Sequence, residues 1–230
     1  ARRRAYADAA WREKLRSEVT PLFRNWWDRV VIAWSPSHRE LEEQPLTMAA
    51  AKLGKDPVDL ALDISLADDL QTRFRMAVMN FDEKEVAELI TDPHTIIALS
   101  DAGAHANQLC DACYSTHLLG HWVREKKTLT VEEAVHNLTQ RPAEMFGITD
   151  RGVLAEGRPA DVVVFDPKTV GPGPLKRVYD LPAGADRLVA EAGGIDAVIV
   201  NGRLIRQNNK DMVAANDKLP GRLLRHGRAA

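Results

Sequence analysis

The feature that most constrains the fold is an alternation of short apolar runs with capped helices through the first half of the chain. Val30-Val31-Ile32-Ala33-Trp34 is an apolar run of strand length, stopped by Ser35-Pro36-Ser37. Asp56-Pro57 then opens a helix. An Asp at the N-cap accepts from orphan backbone N–H groups, and a Pro in the first turn lacks the N–H that would be orphaned there. The apolar set of this helix is Val58, Leu60, Ala61, Leu62 and Ile64. Phe74 to Met79 reads as a second strand. Asp82, with Glu85 three residues on, reads as the capping box of the next helix, whose Val86, Leu89 and Ile90 share one face. Asp92-Pro93 ends that helix, and Thr95 to Leu99 is the third strand. Strand, helix, strand, helix, strand predicts parallel strands joined by crossover helices.

Helices come next over Tyr114 to Glu125, from Thr130 with Glu133 as its capping-box partner, and from Arg141-Pro142 until Gly147. From about Asp150 the character becomes β. Ala160 to Pro167 contains a strand. Val198-Ile199-Val200 and Arg203-Leu204-Ile205 flank Asn201-Gly202, a strong hairpin signal. Between them lies a loop-rich stretch with Gly171-Pro172-Gly173-Pro174. Three β/α units do not close a barrel, since eight units need about 250 residues. The chain therefore reads as the C-terminal part of a larger α/β fold, or as a small open α/β sheet. No Gly-rich phosphate loop follows the strands, which disfavours the nucleotide-binding version of the latter.

Net charge is −2, so no global field favours nucleic acid or a membrane surface. Arg2-Arg3-Arg4 and Arg222, Arg225 and Arg228 read as solvated ends. No apolar stretch reaches the roughly 18 residues of a membrane span, and the first residues carry no signal peptide. They read instead as mid-domain sequence, so an N-terminal part is expected outside this chain. Two cysteines are too few for a disulfide framework and suggest a reducing, cytoplasmic compartment.

Chemistry is expected first in Ser100-Asp101-Ala102-Gly103-Ala104-His105. An ionisable group at the C-terminal end of a buried strand is where (β/α) enzymes keep their chemistry, and a carboxylate there needs a partner, a metal or a task. Asp101 is the candidate catalytic residue and metal ligand, against the alternative of a turn Asp ahead of Gly103. His105 and Asn80 are the candidate substrate-binding residues. Cys110, Cys113, His117 and His121 superficially offer a zinc set. A zinc finger needs about a dozen residues between its cysteine and histidine pairs, and here only three separate them. A half-buried helix face is the simpler reading. Asp63 and Asp68-Asp69 read as solvated surface.

Together with the segments downstream of it, the Asp101 run resembles the end of the last barrel strand in the D-aminoacylases (N-acyl-D-amino-acid deacylases) of the amidohydrolase superfamily. The likeness continues through Leu118-Leu119-Gly120-His121-Trp122-Val123-Arg124-Glu125, Glu132-Glu133-Ala134-Val135 and Thr139-Gln140-Arg141-Pro142-Ala143. It extends to Asp150-Arg151-Gly152, Gly157, Ala160-Asp161, Val164-Phe165-Asp166-Pro167 and Ile195 to Gly202. The resemblance implies the last units of a TIM-like (β/α)8 barrel over residues 1–149, a small β-sandwich-like segment over 150–210 and a tail over 211–230. It implies metal-dependent hydrolysis of a C–N amide bond, with zinc as cofactor. Asp101 would accept a proton from the attacking water and pass it to the leaving nitrogen.

The family's early His-x-His, its bridging Cys or Glu and its mid-barrel histidines have no counterpart, since His38 and His94 stand alone. Most metal ligands are thus expected on a missing N-terminal part or on a partner chain. Ala112 stands where the family places an arginine for the substrate carboxylate. Two other readings stay open: a cyclic-amide, hydantoinase-like hydrolase, and a non-catalytic scaffold subunit that docks through Trp26-Trp27. A homo-oligomer is compatible with each.

Overall fold

The computed structural model of the chain describes residues 1–18, 26–97, 100–225 and 228–229. Its internal contacts divide it into two units, Ala1–Glu83 and Lys84–Ala230. The boundary expected after residue 149 falls inside the second.

In the first unit, α1 (Arg2–Ala7) and α2 (Ala9–Glu18) precede β1 (Val30–Trp34), α3 (Leu46–Leu53), α4 (Pro57–Ala67) and β2 (Arg73–Met76). Burial alternates along β1, with Val30 and Ile32 inward, as the two-residue period of a strand requires. They pack against Leu46, Ala49 and Ala50 of α3 and Leu60 and Ile64 of α4, positions spaced to form one apolar stripe per helix. Asp56 caps α4 as expected, accepting from the Val58 N–H at 2.8 Å and the Asp59 N–H at 3.3 Å. The expected parallel pairing is corrected: β1 and β2 run antiparallel, Val30 opposite Met76 and Ile32 opposite Phe74. Two helices, and not one, lie between these strands, so the chain reverses once more before it returns. The other edge of β1 is covered by the segment before α3. There the Ile32 N–H donates to the Gln44 carbonyl at 3.1 Å, and the Ile32 carbonyl accepts from the Glu43 N–H at 2.8 Å.

The second unit holds most of α5 (Glu83–Thr91), then α6 (Tyr114–His117), which continues as a π-helical segment, Leu118–Glu125. α7 (Val131–Leu138) and α8 (Gln140–Met145) come after it. The capping box at Thr130 is present, with Thr130 and Glu133 bonding each other's backbone N–H at 3.1 and 2.8 Å. The core gathers Leu118, Leu119, Trp122, Leu129, Ala134 and Val170, with Val86, Ala87 and Ile90 of α5 against it. Leu89, expected on that face, is exposed. The third strand does not form over Thr95–Ile97. Thr95 is captured by the end of α5, its hydroxyl donating to the Leu89 carbonyl at 2.5 Å. The last two residues of that run lie outside the described ones.

Strands β3 (Val162–Phe165), β8 (Ile195–Val200), β9 (Arg203–Gln207) and β10 (Lys210–Asp211) form an antiparallel sheet in the order β10-β9-β8-β3. Asn201 and Gly202, at φ 48° and 80°, make the predicted hairpin turn with the two positive φ values it needs. Between β3 and β8, β4 (Gly171–Pro172) pairs with β7 (Ala192–Gly193), and β5 (Lys176–Val178) with β6 (Arg187–Val189). Among the described residues these two-stranded ladders accompany the four-stranded sheet, their strands of two or three residues lying at the short end of the usual range. Helix and sheet meet at Val170. A Cβ on Gly120 of the π segment would lie 2.8 Å from the Val170 carbonyl oxygen, and one on Gly194 would collide with its nitrogen.

Asp68, expected on the surface, is buried at 5% exposure. It takes hydrogen bonds from the hydroxyls of Ser35 (2.7 Å), Thr72 (2.6 Å) and Ser37, and from the Ser37 N–H (2.8 Å). One carboxylate thus ties the end of β1 to the end of α4 and the approach to β2. Burial pushes its pKa up, but the donors from Ser37, Thr72 and Ser35 outweigh burial and hold it below the usual carboxylate range. A depressed folded-state pKa stabilises above the unfolded value of about 3.9, and that contribution is lost as pH falls through the folded value. Asp68→Ala should lower stability by about 3 kcal/mol, because hydrogen bonds to charged groups are lost and a buried hydroxyl is stranded. It should also flatten the acid limb of the stability–pH curve; denaturant unfolding at several pH values measures both.

Candidate functional site

The loop that carries Asp101 is built from two consecutive turns. The Ala104 N–H donates to the Asp101 carbonyl at 3.1 Å, and the N–H groups of Gln108 and Leu109 donate to the His105 carbonyl at 2.8 and 2.9 Å. Gly103, at φ 90°, supplies the left-handed residue that the first turn requires. Asp101 and His105 share this loop and both side chains are exposed. The buried strand end expected around Asp101 is not its setting among the described residues. Asn80 belongs to the first unit, where it is exposed at φ 53° four residues beyond β2.

Two further loop carbonyls, those of Ala106 and Asn107, are taken by β5 and β6. Leu188 donates its N–H to Ala106 at 2.8 Å, and Arg177 donates from its guanidinium to Asn107 at 3.1 Å. Arg177 also pairs with Asp186, the two side chains being 9% and 13% exposed. Sequence reasoning misses these residues within a loop-rich stretch. A signal is present all the same: Leu181-Pro182-Ala183-Gly184 is a turn flanked by two short alternating runs.

No group of three or more His, Cys, Asp or Glu side chains among the described residues is arranged to hold a metal. The described residues therefore do not by themselves compose a zinc centre; Asp101 and His105 offer two exposed donors on one loop. The Cys and His set does not converge either. The His117 and His121 rings stack at 4.8 Å between centroids, and His121 Nδ1 lies 3.0 Å from Glu125. The Cys113 thiol donates to the Cys110 carbonyl at 3.4 Å, and both cysteines are free. Beside the π segment, His117, His121, Arg124 and Thr169 line a cavity of about 310 Å³; it does not include Asp101. Three residues of the quoted segments have a structural part. Arg151 pairs with Asp161 and donates to the Asn201 side chain at 3.0 Å, while the Asn201 N–H donates to Asp161 at 2.7 Å. They lock the β8–β9 turn.

The model of the amidohydrolase family matches residues 13–206. The N-acyl-D-glutamate deacylase of Alcaligenes xylosoxydans xylosoxydans is 35% identical over 202 residues, covering 86% of this chain and 36% of that protein. The N-acyl-D-aspartate deacylase of the same organism is 29% identical over 205 residues, covering 87% and 36%. Among solved structures, an N-acyl-D-glutamate deacylase from Bordetella bronchiseptica, complexed with zinc and a phosphonate inhibitor, is 30% identical with a TM-score of 0.43, covering 81% of this chain and 36% of that one. The chain thus spans about a third of the length of the relatives it matches.

The cysteine geometry has a measurable result. Burial pushes the Cys113 thiol up, with Cys110 and Asp111 adding to the shift, so less of it is thiolate at neutral pH. Cys113 should be alkylated more slowly than a free thiol at pH 7, and its rate should rise to a plateau only at a pH above the ordinary thiol range. Mass spectrometry of chain quenched at intervals resolves the two sites.

Proposed function

The chain belongs to the amidohydrolase family, and from that premise we propose that it is the C-terminal portion of a metal-dependent hydrolase of C–N amide bonds whose substrates are N-acyl-D-amino acids. The observation that carries this reading is the family match over residues 13–206, which contains the whole Asp101 loop. Asp101 is the general acid and base. It takes a proton from the attacking water and delivers it to the leaving nitrogen, a transfer that amide hydrolysis requires because an amine anion is a poor leaving group. His105 and Asn80 hydrogen-bond the substrate. The exposure of Asp101 in this chain fits a carboxylate whose surroundings come from the rest of the enzyme.

Zinc is the proposed cofactor; a bound zinc ion lowers the pKa of its water to about 7. Its donors other than Asp101 lie outside this chain. In the intact enzyme, residues 1–149 complete a (β/α)8 barrel and 150–210 form part of the appended β domain. A barrel requires β1 and β2 to pair in parallel with other strands, in place of the antiparallel ladder they make with each other here. Ala112, in place of an arginine, leaves the partner of the substrate carboxylate to another residue.

Asp101→Asn in the intact enzyme should lower kcat by about 10²- to 10⁴-fold, the usual worth of a positioned acid–base group, with an unchanged far-UV spectrum. Turnover at the wild-type rate in that variant removes Asp101 from the mechanism. A panel of N-acyl-D- and N-acyl-L-amino acids, dipeptides and cyclic ureides should show hydrolysis of the D-acyl compounds. Preference for the ureides would move the assignment to a cyclic-amide hydrolase. A chelator should abolish the activity, and added zinc should restore it.

A further inference from the structure

We infer that the β5–β6 hairpin is a strap that positions the Asp101 loop, with Arg177 as its positioning residue and Asp186 as the group that aims it. The structural half of this inference stands on geometry alone; its kinetic half rests on the proposed role of Asp101.

The loop cannot fix itself completely. Its two turns use the carbonyls of Asp101 and His105 internally, and the consecutive carbonyls of Ala106 and Asn107 are among those the turns do not use. Both are taken by one cross-strand pair, since Arg177 lies opposite Leu188 in the β5–β6 register. Leu188 supplies a main-chain donor to Ala106, and Arg177 a side-chain donor to Asn107. The loop is therefore held at two adjacent points by a two-stranded ladder, which resists twisting in a way that a single bond does not.

The Arg177 guanidinium is nearly enclosed, and one nitrogen serves both Asn107 and Asp186. Its Nε–H is buried and has no acceptor among the described residues. A guanidinium placed for its own best pairing would form two parallel bonds to the carboxylate. Arg187 does this on the same hairpin, with both bonds to Asp180 at 2.7 Å. Arg177 forgoes that geometry and reaches the loop instead. The contrast separates a pair that closes the hairpin, Arg187 with Asp180, from a pair that grips something beyond it.

Hydrogen exchange on this chain and kinetics on the intact enzyme test the strap. In Arg177→Met, the Gln108 and Leu109 amides should exchange about 10-fold faster, while Ile195–Val200 keeps its protection. In the intact enzyme the same variant should lose about 10- to 100-fold in kcat, the scale on which small misplacements act, with KM within about two-fold. Arg177→Lys keeps the charge opposite Asp186 but loses the fork, and should fall between wild type and Arg177→Met in both readouts. It also serves if Arg177→Met does not fold. Unchanged exchange at Gln108 and Leu109 in a folded variant overturns the strap. A kcat loss matched by lost protection in Ile195–Val200 overturns it too, since the residue is then merely structural. Asp101→Asn should leave the exchange pattern as in wild type, so full activity in that variant would defeat the catalytic reading while the exchange data still decide the strap.

Discussion

The second unit is organised around the backbone of one residue, Val170. Its carbonyl lies under Gly120 of the π segment and receives the Arg124 guanidinium, and its nitrogen lies against Gly194 at the entrance to β8. Helix and sheet therefore touch main chain to main chain. Such an approach is closed to any residue with a side chain. Leu118, Leu119 and Trp122 fill the space around it. The path of β4, the start of β8 and hence the placement of the intervening β5–β6 hairpin depend on this one close contact.

The first unit solves a different problem with a buried charge. Asp68 is an anion inside a small core, and an unpaired anion there would be prohibitive. Four donors from three residues offset the burial. The donors come from both ends of the β1–β2 connection, so the carboxylate does for this unit what glycine contact does for the other: it fixes where separate elements meet.

Elements with a local cause were readable in the sequence. The α4 N-cap at Asp56, the Thr130 capping box and the Asn201-Gly202 turn each arise from side chains within three residues of the backbone groups they satisfy. The outcomes set by distant partners were not readable. The direction of β2 depends on the number of helices between it and β1. The burial of Asp68 depends on Ser35 and Ser37, more than thirty positions away. The Thr95 run carries strand-forming residues, yet a hydroxyl bond to the preceding helix claims its first member. At the candidate site, the turn after Asp101 was legible from Gly103. Its support was legible only as a hairpin signal around Leu181-Pro182-Ala183-Gly184; Arg177 and Leu188 carry no chemical signature, and the register of a short ladder makes them donors to this loop.

That ladder also sets when the loop takes its shape. Arg177 and Asn107 are 70 residues apart in sequence, and closing a segment of that length carries an entropy cost that only a formed hairpin offsets. The two turns of the loop need nothing but their neighbours and can close early. Their final orientation waits for β5 and β6. During synthesis the loop therefore leaves the ribosome well before its clamp does, and the contacts that fix the Asp101 loop have a long sequence separation where its turns are local.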